Sequence, residues 1–342
     1  MTQQSRITYA DIAKQAGVSE ATVSRVLNGD TRVKADRQER VNAAVAELGY
    51  KKNRIASALA SGRTGLIAIV IDDDLSIFDD PFWARVSRGV SKVLMQNELQ
   101  TLLLVSSETS IDSPVAHYLQ GGEVDGAIFF QVHNDQLIKQ LQSQGLAVVM
   151  AGTPKSGTKV PFADSDNFGG AVQATTHLIS QGCQHLVTIT GDIDASAGRQ
   201  RLDGFKQAIS QHGLSVDKKL IVRGDYSFES GRSAMSKLLI AGSKIDGVFA
   251  ANDLMALGAV AEIREFGLRV PEDIKVVGFD DSVMAMASVP TLTTVRQDIE
   301  GLGEAVAELM INQLQGVAVT PKILPTTLVA RDSAQAADPR SK

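Results

Sequence analysis

A single cysteine, Cys183, in a chain of 342 residues leaves nothing from which to build an intramolecular disulfide framework or a multi-cysteine zinc site. No apolar run approaches the roughly 18 residues that a membrane helix requires, and the opening MTQQSRITYADIAK lacks the apolar core of an export signal. A soluble, cytoplasmic protein without a membrane partner is the expectation. The phosphate-cradling pattern GxxxxGK[ST] and the nucleophile elbow GxSxG are also missing. The histidines, His117, His133, His177, His185 and His212, show no metal-ligand spacing. An enzyme of these classes, a resident cofactor and a bound metal are therefore not expected. Aromatic residues are scarce, and Trp83 is the only tryptophan.

What the chain does have is an ordinary globular composition with an uneven charge. Hydrophobic residues make up 44% and charged residues 21%, close to the soluble average, which argues against wholesale disorder. The net charge of −5 hides a basic head: residues 1–63 carry 11 Lys and Arg against 6 Asp and Glu. The remainder is net −10. A basic head on an acidic body suggests that the head alone meets a polyanion.

The head reads as three short helices. Thr8 and Asp11 have capping-box spacing, followed by the apolar face of Ile12, Ala13 and Ala16. Gly17 can turn the chain with positive φ. Ser19 can cap a second helix that turns Val23, Val26 and Leu27 inward and ends at Asn28-Gly29. Val41, Ala44, Val45 and Leu48 then share one face of a third helix over residues 36–48, with Gly49 as its stop. A short helix, a glycine turn and a second capped helix fit a helix-turn-helix, although a generic helical hairpin has the same outline. Residues 51–64 read either as a flexible linker or as a helix over 54–60 capped by Asn53. With about two turns, that helix would be marginal without a partner.

From Leu66 the pattern becomes α/β. Continuous apolar runs at 66–71, 101–105, 127–130, 146–150, 185–190, 247–250 and 275–279 read as strands buried on both faces. Helical stretches at 83–97, 169–180, 201–212, 230–240 and 253–266 lie between them. The alternation implies parallel sheets flanked by helices. Its length favours two lobes with a ligand cleft between them. Residues 332–342 lack periodicity and are expected to be a disordered tail.

The run from Ile7 to Ala13, then Ala16-Gly17-Val18-Ser19-Glu20-Ala21-Thr22-Val23-Ser24-Arg25-Val26-Leu27-Asn28, closely resembles the head of the Lac/Gal repressor family. Leu48-Gly49-Tyr50, Asn53-Arg54-Ile55-Ala56 and Leu59 continue the resemblance. It extends through the body to residues 293–298 and Leu328-Val329. It implies an all-α helix-turn-helix domain over 1–50, a hinge helix within 51–64 and an α/β, two-lobed, periplasmic-binding-protein-like body over 65–331. On that resemblance, residues 19–25 are the recognition helix, with Thr8, Ser19, Glu20, Ala21, Thr22, Ser24, Arg25 and Asn28 facing DNA. Asn53, Arg54, Ala56 and Leu59 belong to a hinge helix that orders on specific DNA, Leu59 wedging into the minor groove at a central CG step. Lys34 departs from the usual serine cap of the third helix.

The resemblance also implies a cleft for a sugar or sugar derivative, lined by Phe82, Trp83, Arg201, Tyr226, Asn252, Asp280 and Gln297. Sugars offer hydroxyls to polar side chains and ring faces to aromatics, which is what this set supplies. Asn252 and Asp253 could equally cap the following helix, and Asp253 is the expected cap. Met150-Ala151-Gly152-Thr153 departs from an acidic-basic pair common in relatives, which implies lower hydrogen-bonding capacity on that wall. The implied whole is a homodimeric repressor of carbohydrate genes, switched by a small effector on a pseudo-palindromic double-stranded DNA operator. The alternatives are a corepressor-dependent regulator sensing a nucleoside, purine or phosphocarrier protein, and a sugar-binding protein without DNA binding.

Overall fold

Short-range chemistry sets the head. In the computed structural model, which describes residues 7–27, 30–50, 62–72, 80–106, 109–130, 135–154, 158–215 and 217–335, helix α1 (Tyr9–Ala16) opens on the expected capping box. The Thr8 N–H donates to Asp11 Oδ2 at 2.8 Å, and the Asp11 N–H donates to Thr8 Oγ1 at 3.4 Å. Gly17 closes the helix in the left-handed region at φ +62°. Helix α2 (Glu20–Leu27) starts under Ser19, whose hydroxyl accepts the Thr22 N–H at 3.3 Å. Helix α3 (Ala35–Leu48) follows Lys34, which makes no side-chain cap, and ends on Gly49 at φ +63°. Ile12, Ala13, Ala16, Val23, Val41 and Ala44 form the shared core. Gln15 Nε2, donating to Glu47 Oε2 at 2.8 Å, ties α1 to α3.

The chain divides into two compact units, Met1–Thr64 and Gly65–Lys342. In the second, strands β1 (Leu66–Asp72), β2 (Gln100–Ser106), β3 (Gly126–Phe130), β4 (Ala147–Ala151) and β5 (Phe162–Ser165) alternate with helices α4 (Pro81–Gln96), α5 (Pro114–Gln120) and α6 (Asp135–Ser143). After β5 the chain crosses into a second lobe. There β6 (Leu186–Thr190), β7 (Ile221–Arg223), β8 (Gly247–Ala250), β9 (Lys275–Asp280) and β10 (Thr293–Gln297) alternate with α7 (Asn167–Ser180), α8 (Ser196–Gln211), α9 (Phe228–Ile240), α10 (Asp253–Glu265) and the short α11 (Val283–Ala287). Helix α12 (Ile299–Leu314) and β11 (Lys322–Leu324) return to the first lobe, and β12 (Thr326–Val329) ends in the second. The sheet orders are β11-β5-β4-β3-β1-β2 and β12-β10-β9-β8-β6-β7. Pairing is parallel throughout except between β10 and β12.

The two-lobed body expected from the alternation is thus present, with three crossings between lobes. β5, β7 and β10–β12, none of which is a continuous apolar run of four residues or more, are not among the strands expected from the sequence, nor are α5, α6, α11 and, above all, α12 among the expected helices. That helix packs on α4 through Leu302, Val306 and Met310 against Trp83, Val86 and Val90. Backbones touch there: a Cβ on Gly89 would lie 2.1 Å from Glu300 O, and one on Gly303 would lie 2.2 Å from Val86 O. Each fully buried large side chain in these cores contributes about 1.5–3 kcal/mol.

The expectation of a disordered tail from residue 332 is corrected through residue 335. Asp332–Ala334 forms a 3₁₀ turn with Ser333 and Ala334 fully buried. The Ser333 hydroxyl donates to Val276 O at 2.7 Å and accepts the Thr293 N–H at 2.8 Å. Anchoring through one serine leaves no periodic signal in a sequence. Residues 336–342 lie outside the described residues.

Candidate functional site

On the head, Val23 anchors α2 in the core while Glu20, Ala21 and Arg25 stand exposed, with Thr22 and Ser24 half-buried. Thr8 and Ser19 are spent on capping α1 and α2. Next to this helix, hydrogen bonds from Arg32 hold the Asp30 carboxyl down at about 2, with Arg25 adding its charge. Asn28, Asn53, Arg54, Ala56 and Leu59 lie outside the described residues.

In the body, Phe82, Trp83, Arg201, Tyr226, Asn252, Asp280 and Gln297 all line one cavity of about 600 Å³ between the lobes. That volume falls within the range of small-molecule sites. Strand ends and helix starts deliver these residues, so their position follows from the parallel topology.

Arg201, on the first turns of α8, is 6% exposed. Its Nε donates to Asn167 Oδ1 at 2.8 Å and one terminal nitrogen to Ala251 O at 2.5 Å. The guanidinium stacks 3.8 Å over the Phe279 ring and lies 3.8 Å from Asp280 Oδ1. Asp280 accepts from Gln297 Nε2 at 2.5 Å. Asn167 Nδ2 donates in turn to Asp164 Oδ1 at 2.9 Å. A continuous polar chain, Asp164–Asn167–Arg201–Asp280–Gln297, therefore runs along the cavity wall from one lobe to the other.

Burial pushes the Asp280 carboxyl well above the usual carboxylate range; Arg201 opposes the shift, and Asp253 and Asp80 add to it. Asp280 and Asp281 adopt φ +116° and +53°, and Tyr226 adopts +71°. Such values cost a non-glycine residue roughly 1–3 kcal/mol and cluster where function demands them. Burial raises the Tyr226 hydroxyl to about 12. Its ring leaves no room opposite: a Cβ on Gly191 would lie 2.0 Å from it.

Trp83 is both core and wall. It packs edge-on against Phe82 and Phe130, at centroid distances of 5.3 and 5.7 Å, and belongs to the first lobe's core. Asn252 is the residue that caps α10: its Oδ1 accepts the Met255 N–H at 2.9 Å, and its Nδ2 donates to Tyr226 O at 2.8 Å. This corrects the expectation that Asp253 is the cap. Asp253 instead lies fully buried, accepting from the Ser282 N–H at 2.7 Å and the Thr294 hydroxyl at 2.5 Å.

Around residues 150–153, where lower hydrogen-bonding capacity is expected, Thr153 carries the one polar side chain, and it is already paired. Thr153 donates both its N–H and its hydroxyl, each at 2.8 Å, to Asp164 Oδ2. Asp164 supplies from β5 the carboxylate that the loop lacks. Sequence reasoning missed it because β5 was not recognised; the run Ala163-Asp164-Ser165-Asp166-Asn167 before an apolar helix was the available signal. Asp80, which caps α4 by accepting the Phe82 N–H at 2.8 Å, is a further wall carboxylate, and burial raises its pKa.

Among the described residues, no cluster of His, Cys, Asp and Glu is arranged to hold a metal ion, and no helix is long and apolar enough to cross a membrane.

Comparison with known proteins agrees with both units. Residues 8–53 match the model of bacterial regulatory proteins of the lacI family, and residues 175–334 match that of periplasmic binding protein-like domains. The transcriptional regulator CelR of Thermobifida fusca is 37% identical over 339 residues, spanning 97% of this chain and 100% of its own. A solved complex of CelR with cellobiose matches with a TM-score of 0.76 at 36% identity, over 96% of this chain and 100% of that one. The lac repressor dimer bound to operator and the anti-inducer ONPF matches with a TM-score of 0.87 at 28% identity, over 97% and 100% respectively. On this evidence the chain belongs to the LacI family of bacterial regulatory proteins, and it is a DNA-binding transcriptional regulator rather than an enzyme.

Proposed function

We propose that the chain is a homodimeric repressor of carbohydrate-uptake or catabolism genes, released from its operator by a small sugar-like effector. Residues 1–50 bind DNA, 51–64 form the hinge, and 65–331 bind the effector and dimerise. The two heads of a dimer reach successive major grooves of a pseudo-palindrome, with Glu20, Ala21 and Arg25 directed at base edges. Leu59 enters the minor groove at a central CG step. The effector occupies the inter-lobe cavity, with Trp83 and Phe82 against its ring faces and Arg201, Asn252, Asp280, Tyr226 and Gln297 at its hydroxyls.

The observation that carries the reading is the convergence of all seven expected residues, from both lobes, on one cavity. A ligand that bridges two lobes favours one inter-lobe angle over another, and it shifts DNA binding only by that difference. The cellobiose complex of CelR supports a sugar as the ligand class. Titrating a panel of sugars while following Trp83 fluorescence and binding to a CG-centred palindrome tests the reading. A sugar that changes the fluorescence and releases DNA is the expected result. One that tightens DNA binding reverses the polarity to corepression, and no response to any sugar refutes the effector assignment. Sedimentation giving a stable tetramer or a monomer would refute the dimer.

A further inference from the structure

Resting on the sugar-effector reading, we infer that the cavity selects an uncharged sugar and rejects phosphorylated or carboxylated ones. Hydroxyl recognition alone does not separate these classes, because a sugar phosphate carries the same hydroxyls as the sugar. The charge of the wall does separate them.

The described cavity lining contains seven aspartates, three arginines and no lysine or histidine. The most buried of the arginines, Arg201, is already compensated. It faces Asp280, donates to Asn167 and Ala251, and stacks on Phe279. Its remaining N–H groups can donate to neutral hydroxyls without any further call for negative charge. Arg223 lies 3.3 Å from Asp194 and 4.0 Å from Asp192 at an exposed position, so water screens both these pairs and its pull on an anion. Arg199 is also exposed, where water screens its attraction for an anion.

Helix N-termini are the other usual anion sites. Those of α4 and α10 are filled by Asp80 and Asn252. The N-terminus of α8 has no side-chain cap at Ala195, but Asp192 and Asp194 immediately precede it and supply its negative charge from within the chain. In and behind the wall, Asp280 already faces the like charges of Asp253 and Asp80. A phosphate of about −1.5 to −2 charge would be added to that repulsion. A neutral polyol does the reverse, offering O–H donors to carboxylates that need them.

Calorimetric titration of the full chain with matched pairs tests this: cellobiose against cellobiose 6′-phosphate and cellobionate, and glucose against glucose 6-phosphate. The expected result is that a neutral member binds and its anionic partners bind at least ~100-fold more weakly, since like-charge juxtaposition costs several kcal/mol. In the Asp192→Asn/Asp194→Asn variant, the gap between cellobiose and its phosphate should narrow by about tenfold. An anionic member binding as tightly as its neutral partner, or more tightly, overturns the inference while leaving the sugar-effector reading standing. Failure of every neutral and anionic sugar to bind, across the full panel used to test the effector reading, overturns both.

Discussion

Arg25 stands exposed on a head held together by six buried side chains, whereas Arg201 is 6% exposed and committed to an amide, a carbonyl, an aromatic face and a carboxylate. The contrast extends to their surroundings. The head presents side chains on a helix whose backbone needs nothing but its caps. The body holds Tyr226 and Asp280 in strained backbone, in a wall whose polar groups are oriented by one another. An exposed surface suits a long polyanion, whose phosphates supply the affinity and whose bases supply the specificity. A buried wall suits a small ligand, for which a few fixed donors and acceptors must decide everything. Substitutions should therefore separate cleanly, those in the body altering ligand response and those in the head altering DNA binding.

The largest separation is expected at Arg201. Removing one partner of a buried, hydrogen-bonded charge pair costs about 3–5 kcal/mol, so Arg201→Ala should lower the melting temperature of the body and weaken sugar binding by at least ~100-fold. Arg201→Lys should not restore it, because a point charge cannot reproduce the fork that joins Asn167 to Ala251. Operator affinity without ligand should stay near wild type. A variant that still released DNA in response to sugar would break the comparison at its centre.

Gly191 and Arg25 form the next pair, each expected at about 1–3 kcal/mol on opposite sides of the divide. Gly191→Ala places a methyl 2.0 Å from the Tyr226 ring and should weaken sugar binding without altering the operator footprint. Arg25→Ala should weaken operator binding and relax base preference while leaving the sugar isotherm unchanged. A loss of sugar response in Arg25→Ala would show that the head is not merely a reader.

The body should also respond to acid in a way that the head does not. Burial raises Asp253 to about 6 from an ordinary 3.8, and Asp280, Asp80 and Asp164 are raised as well. For an acid whose folded pKa lies above its unfolded one, the folded state holds the extra proton between the two values. The contribution of Asp253 to stability therefore rises as pH falls through 6 toward 4, and Asp280, Asp80 and Asp164 act in the same direction. Asp281 does not oppose this there. Despite its burial, hydrogen bonds from Arg331 and Arg296 hold its carboxyl low, so its contribution is lost only at lower pH. Asp253→Asn should flatten the rise in melting temperature. In the head, Asp11 and Asp30 are lowered by hydrogen bonds from Thr8 and Arg32, so its stability should instead fall with acid, below about pH 4.

The same division governs how much could be read from the residues. The head was legible almost to the residue because capping boxes, glycine stops and a 3.6-residue period act over a few positions. Along the body, the continuous apolar run of a long buried strand such as β1 is equally plain. What escaped depends on distant partners. β5 is four residues long and gains its meaning from Thr153 and Asn167, which its Asp164 binds. α12 is visibly apolar, but nothing local says that it returns to the first lobe and packs on α4. Asn252 rather than Asp253 caps α10 because Ser282 and Thr294 claim Asp253 from other elements. The cleft residues themselves were named through family register, while their mutual hydrogen bonds required coordinates.

The smallest effect concerns the one place where the head's local rules are broken. Lys34 leaves the first turn of α3 without a side-chain acceptor, while Thr8 and Ser19 supply one to α1 and α2. Introducing an acceptor by Lys34→Ser should stabilise the head by about 0.5–1 kcal/mol, read as a higher melting temperature of its separate transition. The same substitution removes a positive charge from the basic unit. If the cap is all that matters, operator affinity should rise slightly or hold, and its salt dependence should not change. If Lys34 instead touches a phosphate, affinity should fall and the slope against salt should drop by about one ion. That second outcome would mean that a poor helix start is retained for the sake of DNA, the head giving up stability for its function just as the strained residues of the body do.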